Sequence, residues 1–145
     1  TVATVAGLIS IFNGVGRILF GGMYDKFGRK ITMLSADFTF VVFIAALLLA
    51  MTTKSFPILV ISYILGGLAY SSVTPTNSAF INAFYGSTHY PVNFPMVNLN
   101  LIIASFSSTI AGSLYTATGS FMSTCFMIIG LVIVGFITTF MIRKP

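Results

Sequence analysis

The clearest shortage in this sequence is charge. Of 145 residues, seven are Lys or Arg and two are Asp or Glu, so only 6% are charged, whereas a soluble domain carries roughly 25%. Hydrophobic residues make up 57% of the chain. So little polar surface cannot cover a water-soluble globule, and the long apolar runs exclude a disordered, low-complexity chain. A multi-pass helical membrane protein is the class that remains.

Residues suited to catalysis and metal binding are also scarce. The chain has one cysteine, Cys125, and one histidine, His89, so it forms no internal disulfide and has no CxxC or Cys/His metal spacing. Cys125 lies within an apolar run, which predicts a small buried side chain. A membrane-embedded enzyme would need a nucleophile with its base, or metal ligands. We therefore expect no catalytic residues, no metal and no cofactor.

Five segments are long enough to cross about 30 Å of hydrocarbon as helices, which takes roughly 20 residues each. We place them at residues 1–22, 31–52, 57–83, 95–117 and 120–142. Strands of a membrane barrel would alternate apolar and polar side chains, and runs such as Phe40–Met51 do not. Pro75, late in the third segment, predicts a kink. The predicted fold is all-α and polytopic, with five transmembrane helices.

The basic residues lie in the breaks between these segments, which is typical of membrane topology and not of a nucleic-acid surface. The first connection holds Lys26, Arg29 and Lys30, the C-terminal end holds Arg143 and Lys144, and the opposite side holds Lys54. Cytoplasmic loops are rich in Lys and Arg. We therefore expect connection 23–30 and the C-terminal end to be cytoplasmic, in a cell membrane.

Small and polar residues form stripes along several segments. On the first segment the stripe consists of Ala3, Gly7, Ser10, Gly14, Arg17 and Gly21. On the fourth it consists of Ala104, Ser108, Gly112 and Thr116 at four-residue steps. Close helix packing explains a stripe of small residues. A stripe that carries a cation favours the alternative, a wet cavity.

The larger polar side chains on or beside these stripes, together with Tyr70 on the face that Ser62 and Gly66 form on the third segment, are candidates for solute contact. They are Asn13, Arg17, Tyr70, Asn98 and Ser105. Polar residues within membrane spans are costly unless they face water, a partner or a ligand. We therefore predict that these five residues contribute to a substrate site.

Two opposite charges lie inside the spans, Arg17 near the end of the first and Asp37 near the start of the second. If these two helices form an antiparallel hairpin, both residues lie at a similar depth, about 9 Å inside. One hypothesis is that Arg17 and Asp37 form an intramembrane ion pair. The other is that Arg17 faces a cavity and binds an anion, while Asp37 serves the basic residues of the connection.

The first connection and its flank read Gly21-Gly22-Met23-Tyr24-Asp25-Lys26-Phe27-Gly28-Arg29-Lys30. This matches G-x-x-x-D-[RK]-x-G-[RK]-[RK] at every fixed position, namely Gly21, Asp25, Lys26, Gly28, Arg29 and Lys30. Gly28 permits a tight turn that few side chains could adopt. An acidic group near a helix C-terminus is unfavourable and needs a donor. The pattern resembles the loop signature of the major facilitator superfamily, found between the second and third helices and again between the eighth and ninth.

The resemblance implies a secondary transporter in which two six-helix bundles rock around a midplane site. Four predicted helices follow the loop, which fits the second copy of the signature. We therefore expect this chain to be a fragment covering helices eight to twelve, without the N-terminal half. In the family, the acidic residue of the loop holds the two halves together in one transport state. The corresponding Asp25 is expected to lack its partner here.

A narrower resemblance is to the oxalate/formate antiporter-like branch. It is carried by Asn13-x-x-Gly16-Arg17, by Gly66-Gly67-x-x-Tyr70 with Pro75, and by Ala111-Gly112-x-Leu114-Tyr115-x-x-Thr118-Gly119. In oxalate carriers an arginine of the eighth helix, matched here by Arg17, and a lysine of the eleventh clamp a dicarboxylate. The fourth segment has no Lys or Arg, and Leu101 falls about where that lysine would be. This departure argues against oxalate.

We predict that the protein is a carrier of a small organic anion such as a monocarboxylate, and that it works by alternating access. Its expected partners are the carboxylate substrate, the lipid bilayer, the missing N-terminal half, and a proton or counter-anion. Two alternatives remain open at this point, namely a superfamily carrier for an uncharged or cationic solute, and a non-transporting sensor with the same fold.

Overall fold

Helix dominates the structure because a backbone in hydrocarbon must satisfy its hydrogen bonds internally. The computed structural model describes residues 2–142, and within that range every regular element is helical, as predicted. The helices are α1 (Val2–Thr53), α2 (Phe56–Ser71), α3 (Val73–Tyr85), α4 (Tyr90–Asn98), α5 (Asn100–Ser105), α6 (Ser107–Thr118) and α7 (Met122–Met141). Arg143 and Lys144, which the orientation argument uses, lie outside the described residues.

Four helical stretches of the described chain are long and apolar enough to cross a membrane. They are Gly7–Thr53, Phe56–Tyr85, Tyr90–Thr118 and Met122–Met141. The first has 47 residues and contains most of the first two predicted segments. The prediction of a loop at 23–30 is therefore corrected, since the chain there is helical except for one break at Gly28. We call residues 2–27 the first arm of α1 and residues 29–53 the second arm.

The two arms of α1 run in opposite directions. A methyl group placed on Gly67 of α2 would lie 2.7 Å from the carbonyl oxygen of Ile9, and one placed on Gly66 would lie 2.9 Å from the ring of Phe43. In an unbroken helix, residues 9 and 43 would be about 51 Å apart. Adjacent residues of α2 could not then approach both, so the chain folds back at Gly28.

The contacts of α2 and α3 with the first arm follow a parallel order. Gly67 approaches Ile9, Ser71 approaches Gly16, and Pro75 lies 3.9 Å from a methyl group placed on Gly21. Positions on both elements rise together along this interface. The packing face of the first arm is small or apolar and lets the two backbones come close.

Helix α7 packs antiparallel along the second arm. Near one end, the Cys125 sulfur lies 3.9 Å from the Met51 sulfur, and Cys125 is buried as predicted. Near the other end, the Thr139 hydroxyl donates to the Asp37 carboxylate over 3.0 Å. The residue number on α7 rises from Cys125 to Thr139 while that of its partner on the second arm falls from Met51 to Asp37. The two helices are therefore antiparallel.

The third predicted segment is interrupted at Ser72, between α2 and α3, three residues before Pro75. Proline has no N–H to donate to the carbonyl four residues earlier. The nearby hydroxyls do not supply that bond. Ser71 donates to the carbonyl of Leu68, and Ser72 donates to the carbonyl of Ala69 over 2.7 Å. These buried serines are satisfied within their own helix.

Residues 90–118, comprising α4, α5 and α6, form what we call the fourth span. It begins at Tyr90 with Pro91 in its first turn, not at Pro95 as predicted, and Pro95 lies inside α4. Its helix is interrupted at Leu99 and Phe106. None of its most apolar stretch is buried, and residues 101–110 are all exposed. Within the fourth span, α5 and most of α6 are therefore clear of the helices packed around α2, whereas α4 is joined to α3 by the hydrogen bond between Ser78 and Tyr90.

Candidate functional site

Gly28 shapes the loop motif. Its φ of 77° and ψ of 177° put it in a region that is essentially restricted to glycine. The Thr32 side chain is completely buried, and its hydroxyl donates to the Gly28 carbonyl over 2.9 Å. The tight turn predicted from the motif is therefore confirmed. It places Asp25, Lys26, Arg29 and Lys30 together at the end of the hairpin.

Arg29 connects the motif to two other helices. Its Nη2 donates to the carbonyl of Ile142, just past the end of α7, over 3.0 Å, and its guanidinium carbon lies 5.5 Å from the centre of the Phe84 ring in α3. A cation at a helix C-terminus is favourable because the last carbonyls lack partners. Arg29 Nη1 is buried and has no hydrogen-bond partner among residues 2–142.

The two lysines of the motif lie over aromatic rings. The Lys30 ammonium is 5.3 Å from the centre of the Phe140 ring in α7, while Lys26 is 5.5 Å from the ring of its own neighbour Phe27. Such cation–π contacts are worth about 0.5–1 kcal/mol at exposed sites. Arg29 and Lys30 therefore contact the end of α7 in addition to carrying charge, whereas Lys26 does not.

Asp25 has a different setting from its basic neighbours. It is exposed and lines a cleft of about 540 Å³ between the first arm, α3 and α4. Gly21 of the motif, Asn82, Ser78 and Tyr90 share this cleft, and the last two are joined by a hydroxyl–hydroxyl hydrogen bond of 2.7 Å. The Asp25 carboxylate makes no hydrogen bond or ion pair that the structure records within residues 2–142. It therefore presents its charge to an open, partly polar cleft.

Arg17 is exposed on the first arm, directly after Gly16, which packs against Ser71. Asp37 points elsewhere, since it accepts the Thr139 hydrogen bond and lies 3.4 Å from a methyl group placed on Gly135. The structure thus places Asp37 against α7 and not against Arg17. The first hypothesis, an ion pair between Arg17 and Asp37, is therefore not found in this structure.

Much of the stripe predicted on the first arm lies off the packing face, although Gly21 at its end lies near Pro75. Gly7 and Gly14 of the stripe are exposed, and a methyl group on either would meet nothing within 4 Å. The adjacent face, which includes Gly16 and Phe20, is buried against the rest of the bundle. Arg17 therefore lies on an open surface of small residues.

Asn13 lies on the same arm as Arg17, and Tyr70 lies on the neighbouring α2. Asn13 is one helical turn before Arg17, and its side-chain oxygen is enclosed without a hydrogen-bond partner among the described residues. Tyr70 is 51% exposed and directly precedes Ser71. Gly16 and Ser71 touch at the interface between the first arm and α2. Arg17 directly follows Gly16, and Tyr70 directly precedes Ser71.

Asn98 and Ser105 are not brought to this cluster. Asn98 is half-buried at the end of α4, and Ser105 is exposed, with its hydroxyl donating to the Ile102 carbonyl over 2.6 Å. Both belong to the fourth span, in which α4 reaches the cleft beside the first arm while α5 is exposed. Of the five predicted substrate residues, Asn13 and Arg17 lie one helical turn apart on the first arm and Tyr70 lies on the neighbouring α2, while Asn98 and Ser105 lie on the fourth span.

Two features of the site were not predicted from the sequence. One is the cleft that Ser78, Asn82 and Tyr90 form around Asp25. The other is the attachment of Arg29 to the end of α7. A signal existed for the first, since hydroxyl and amide residues recur between Thr74 and Asn82 of the third segment. No local pattern indicates the second, because its two partners are 113 residues apart.

Comparison with known proteins identifies one family. The model of the Major Facilitator Superfamily matches residues 1–145. Curated proteins and solved structures gave no match. Proteins of this family are secondary transporters of small solutes and not enzymes. The apolar helices of this chain identify it as a multi-pass membrane protein. From its helical architecture, its loop motif and this match over its whole length, the chain belongs to the Major Facilitator Superfamily.

Proposed function

We propose that this chain is the part of a superfamily transporter that corresponds to helices eight to twelve, and that the transporter carries a small organic anion such as a monocarboxylate. The observation that carries the proposal is the setting of Arg17. It is an exposed guanidinium in an apolar span, on a face of small residues, and Asp37, its candidate counter-charge on the second arm, is engaged with Thr139.

A charge within the membrane has an energetic cost that depends on its surroundings. An arginine within a span costs at least about 2.5 kcal/mol unless it reaches water or a partner. Asp37 does not supply that partner, and the open stripe around Gly14 leaves room for water or solute. A carboxylate bound at Arg17 would neutralise the guanidinium through charge-assisted hydrogen bonds. Asn13, one helical turn before Arg17, and Tyr70, on the neighbouring α2, would add polar contacts to the bound carboxylate.

The number of cations argues for one carboxylate group. The fourth span has no Lys or Arg, and Leu101 falls about where oxalate carriers have their lysine. A dicarboxylate would then leave one charge without a cation in a site of low dielectric constant, which is costly. This supports a monocarboxylate within the oxalate/formate antiporter-like branch. Asn98 and Ser105 would join the site if the fourth span closes on the first arm in the complete transporter.

The loop motif supports alternating access. Asp25 faces an open cleft at the end of the hairpin, where a helix of a second bundle could place its N-terminal N–H groups against the carboxylate. Formation and loss of that contact would distinguish two transport states. We propose that this end, with Lys26, Arg29 and Lys30, is cytoplasmic in a cell membrane, because basic residues are concentrated there.

The test is uptake by the full-length transporter in vesicles. A panel of labelled monocarboxylates, a dicarboxylate, a sugar and a quaternary amine would be offered to the parent protein and to Arg17→Gln. We expect uptake of a monocarboxylate, and a loss of about thirty-fold or more in kcat/KM for Arg17→Gln, since removing one partner of a desolvated charge pair costs about 2 kcal/mol or more. Lys54→Gln, which alters an exposed cation in a connection, is the matched control and should retain uptake.

Other outcomes would contradict the proposal. Uptake of only the sugar or the amine would identify a carrier for uncharged or cationic solutes. Restored transport in the exchanged pair Arg17→Asp with Asp37→Arg would show that these two residues act on each other and not on substrate. A full-length protein that binds but moves no solute would be a sensor. A proton gradient and preloaded counter-anion, applied separately, would distinguish the two expected forms of coupling.

A further inference from the structure

The outer surface between the second arm of α1 and α7 has two adjacent apolar cavities. The one deeper along the helices has a volume of about 270 Å³ and the one nearer the loop motif about 500 Å³. Phe136 of α7 borders both. Val41, Ala45 and Ile133 line the first, and Ile31 and Phe38 line the second. We call the two cavities together the outer groove.

The outer groove is long enough to hold an acyl chain. From Ile31 to Leu48 the second arm rises about 25 Å, whereas one leaflet of hydrocarbon is about 15 Å deep. Its α7 wall is uncharged from Met122 to Met141. Its other wall carries the hydroxyls of Ser35 and Thr39 among apolar side chains, and the Thr39 hydroxyl donates to the Ser35 carbonyl over 2.7 Å. The lining of the groove is therefore mostly apolar along its length.

One end of the outer groove is basic. Lys30 directly precedes Ile31, is exposed, and has its ammonium over the ring of Phe140, one turn beyond Phe136 on α7. Beside it, Arg29 keeps a buried Nη1 that has no hydrogen-bond partner within residues 2–142. The acidic groups of the described chain are engaged or directed elsewhere, with Asp37 bonded to Thr139 and Asp25 facing the cleft of α3 and α4.

We propose that the outer groove is a binding site for one anionic phospholipid, with an acyl chain lying along the second arm and α7 and the phosphate held at Lys30. An apolar channel that ends at cations on the side of a basic loop is the arrangement that retains anionic lipids between membrane helices. The site is distinct from the stripe around Arg17. A lipid held there would bridge the loop motif and α7 and brace their junction.

The experiment measures lipid retention and needs no transport. The full-length protein would be reconstituted in vesicles of mixed phosphatidylglycerol and phosphatidylcholine, extracted gently, and examined by native mass spectrometry. We expect phosphatidylglycerol to be retained in preference to phosphatidylcholine. Lys30→Gln should reduce that preference about five-fold, the effect of one cation near an anionic surface. Lys54→Gln changes a cation outside the groove and should leave the preference unchanged.

A second pair of variants tests the apolar part. Ala45→Phe would fill the groove from the second arm and should remove the retained lipid. Ile133→Phe approaches the same space from α7, in case the first variant fails to fold. Gly130→Phe adds the same ring to an exposed position of α7 where a side chain meets open space, and should leave retention intact. Equal retention of both lipids by the parent protein, or a loss in Gly130→Phe as large as in Ala45→Phe, would overturn the proposal.

Discussion

Glycines in two regions of this molecule have opposite surroundings. In the bundle formed by α1, α2, α3 and α7, Gly67 is buried so closely against the Ile9 backbone that a methyl group would lie 2.7 Å from its carbonyl oxygen. In the fourth span, Gly112 is exposed, and a methyl group would meet nothing within 4 Å. Both glycines lie in membrane-spanning helices, yet only Gly67 lies where two helices pack together.

The difference shows what a stripe of small residues can and cannot indicate. Small side chains permit close approach, but approach occurs only where a second surface complements them. On the first arm that surface is met by Gly16 and not by the neighbouring Gly14. The open surfaces around Gly14 on the first arm and Gly112 on the fourth span, with Arg17 and Asn98 nearby, are the ones that we propose face a solute pathway and a second bundle.

The largest effect should separate Gly67 from Gly112. Leucine at Gly67 would force the first arm and α2 apart, and overpacking of this kind costs about 3 kcal/mol of unfolding free energy at its upper range. Leucine at Gly112 should cost little, because the site is open. The measurement is the thermal unfolding midpoint of each purified variant in detergent micelles. Equal losses in the two variants would mean that the fourth span is packed as tightly as the bundle.

A smaller effect should come from the turn that makes the bundle possible. Alanine at Gly28 would be held at a φ of 77° and a ψ of 177°, at a cost of about 2 kcal/mol. Gly22→Ala is the matched control, since Gly22 lies in regular helix with open space around its Cα. Unfolding midpoints of the two variants, measured in the same detergent, give the comparison. If Gly28→Ala were as stable as Gly22→Ala, the hairpin would not depend on the glycine conformation.

The smallest effect concerns the attachment of α7 to the bundle. Thr139→Val removes the hydroxyl that donates to Asp37 and should lower the unfolding free energy by about 1 kcal/mol. Thr138→Val removes a neighbouring exposed hydroxyl that bonds only to the Gly135 carbonyl of its own helix, so its effect should stay within about 0.5 kcal/mol. Titration of both variants with denaturing detergent would detect the difference. Thr139→Ser should restore the parent value.

The membrane environment explains how much of the fold the sequence predicts. Apolar runs near 20 residues in length must be helical, and the predicted helices are found, with corrections at their ends. The boundary at Pro95 was wrong because Pro91 serves the first turn equally well, and both prolines satisfy the same rule. The loop expected at 23–30 was wrong because a single glycine reverses the chain without one.

The candidate site was less predictable than the fold. Asp37 and Arg17 share a depth in the membrane, and depth alone made them possible partners. The rotation of each arm about its axis, set by packing against α2 and α7, turns Asp37 toward Thr139. Likewise, Asn98 and Ser105 have the residue types of a polar pathway, but their distance from Arg17 depends on how the fourth span docks.

By itself, the sequence determined the class of the protein, the helical spans, the turn at Gly28 and the grouping of its basic residues, since these depend on composition and on the steric limits of single residues. Only the tertiary structure decided which face of the first arm is buried, where the Asp37 hydrogen bond goes, and that Arg29 holds the end of α7. Those outcomes depend on how two surfaces distant in the chain fit each other, and the periodicity of one helix contains no information about the surface it will meet.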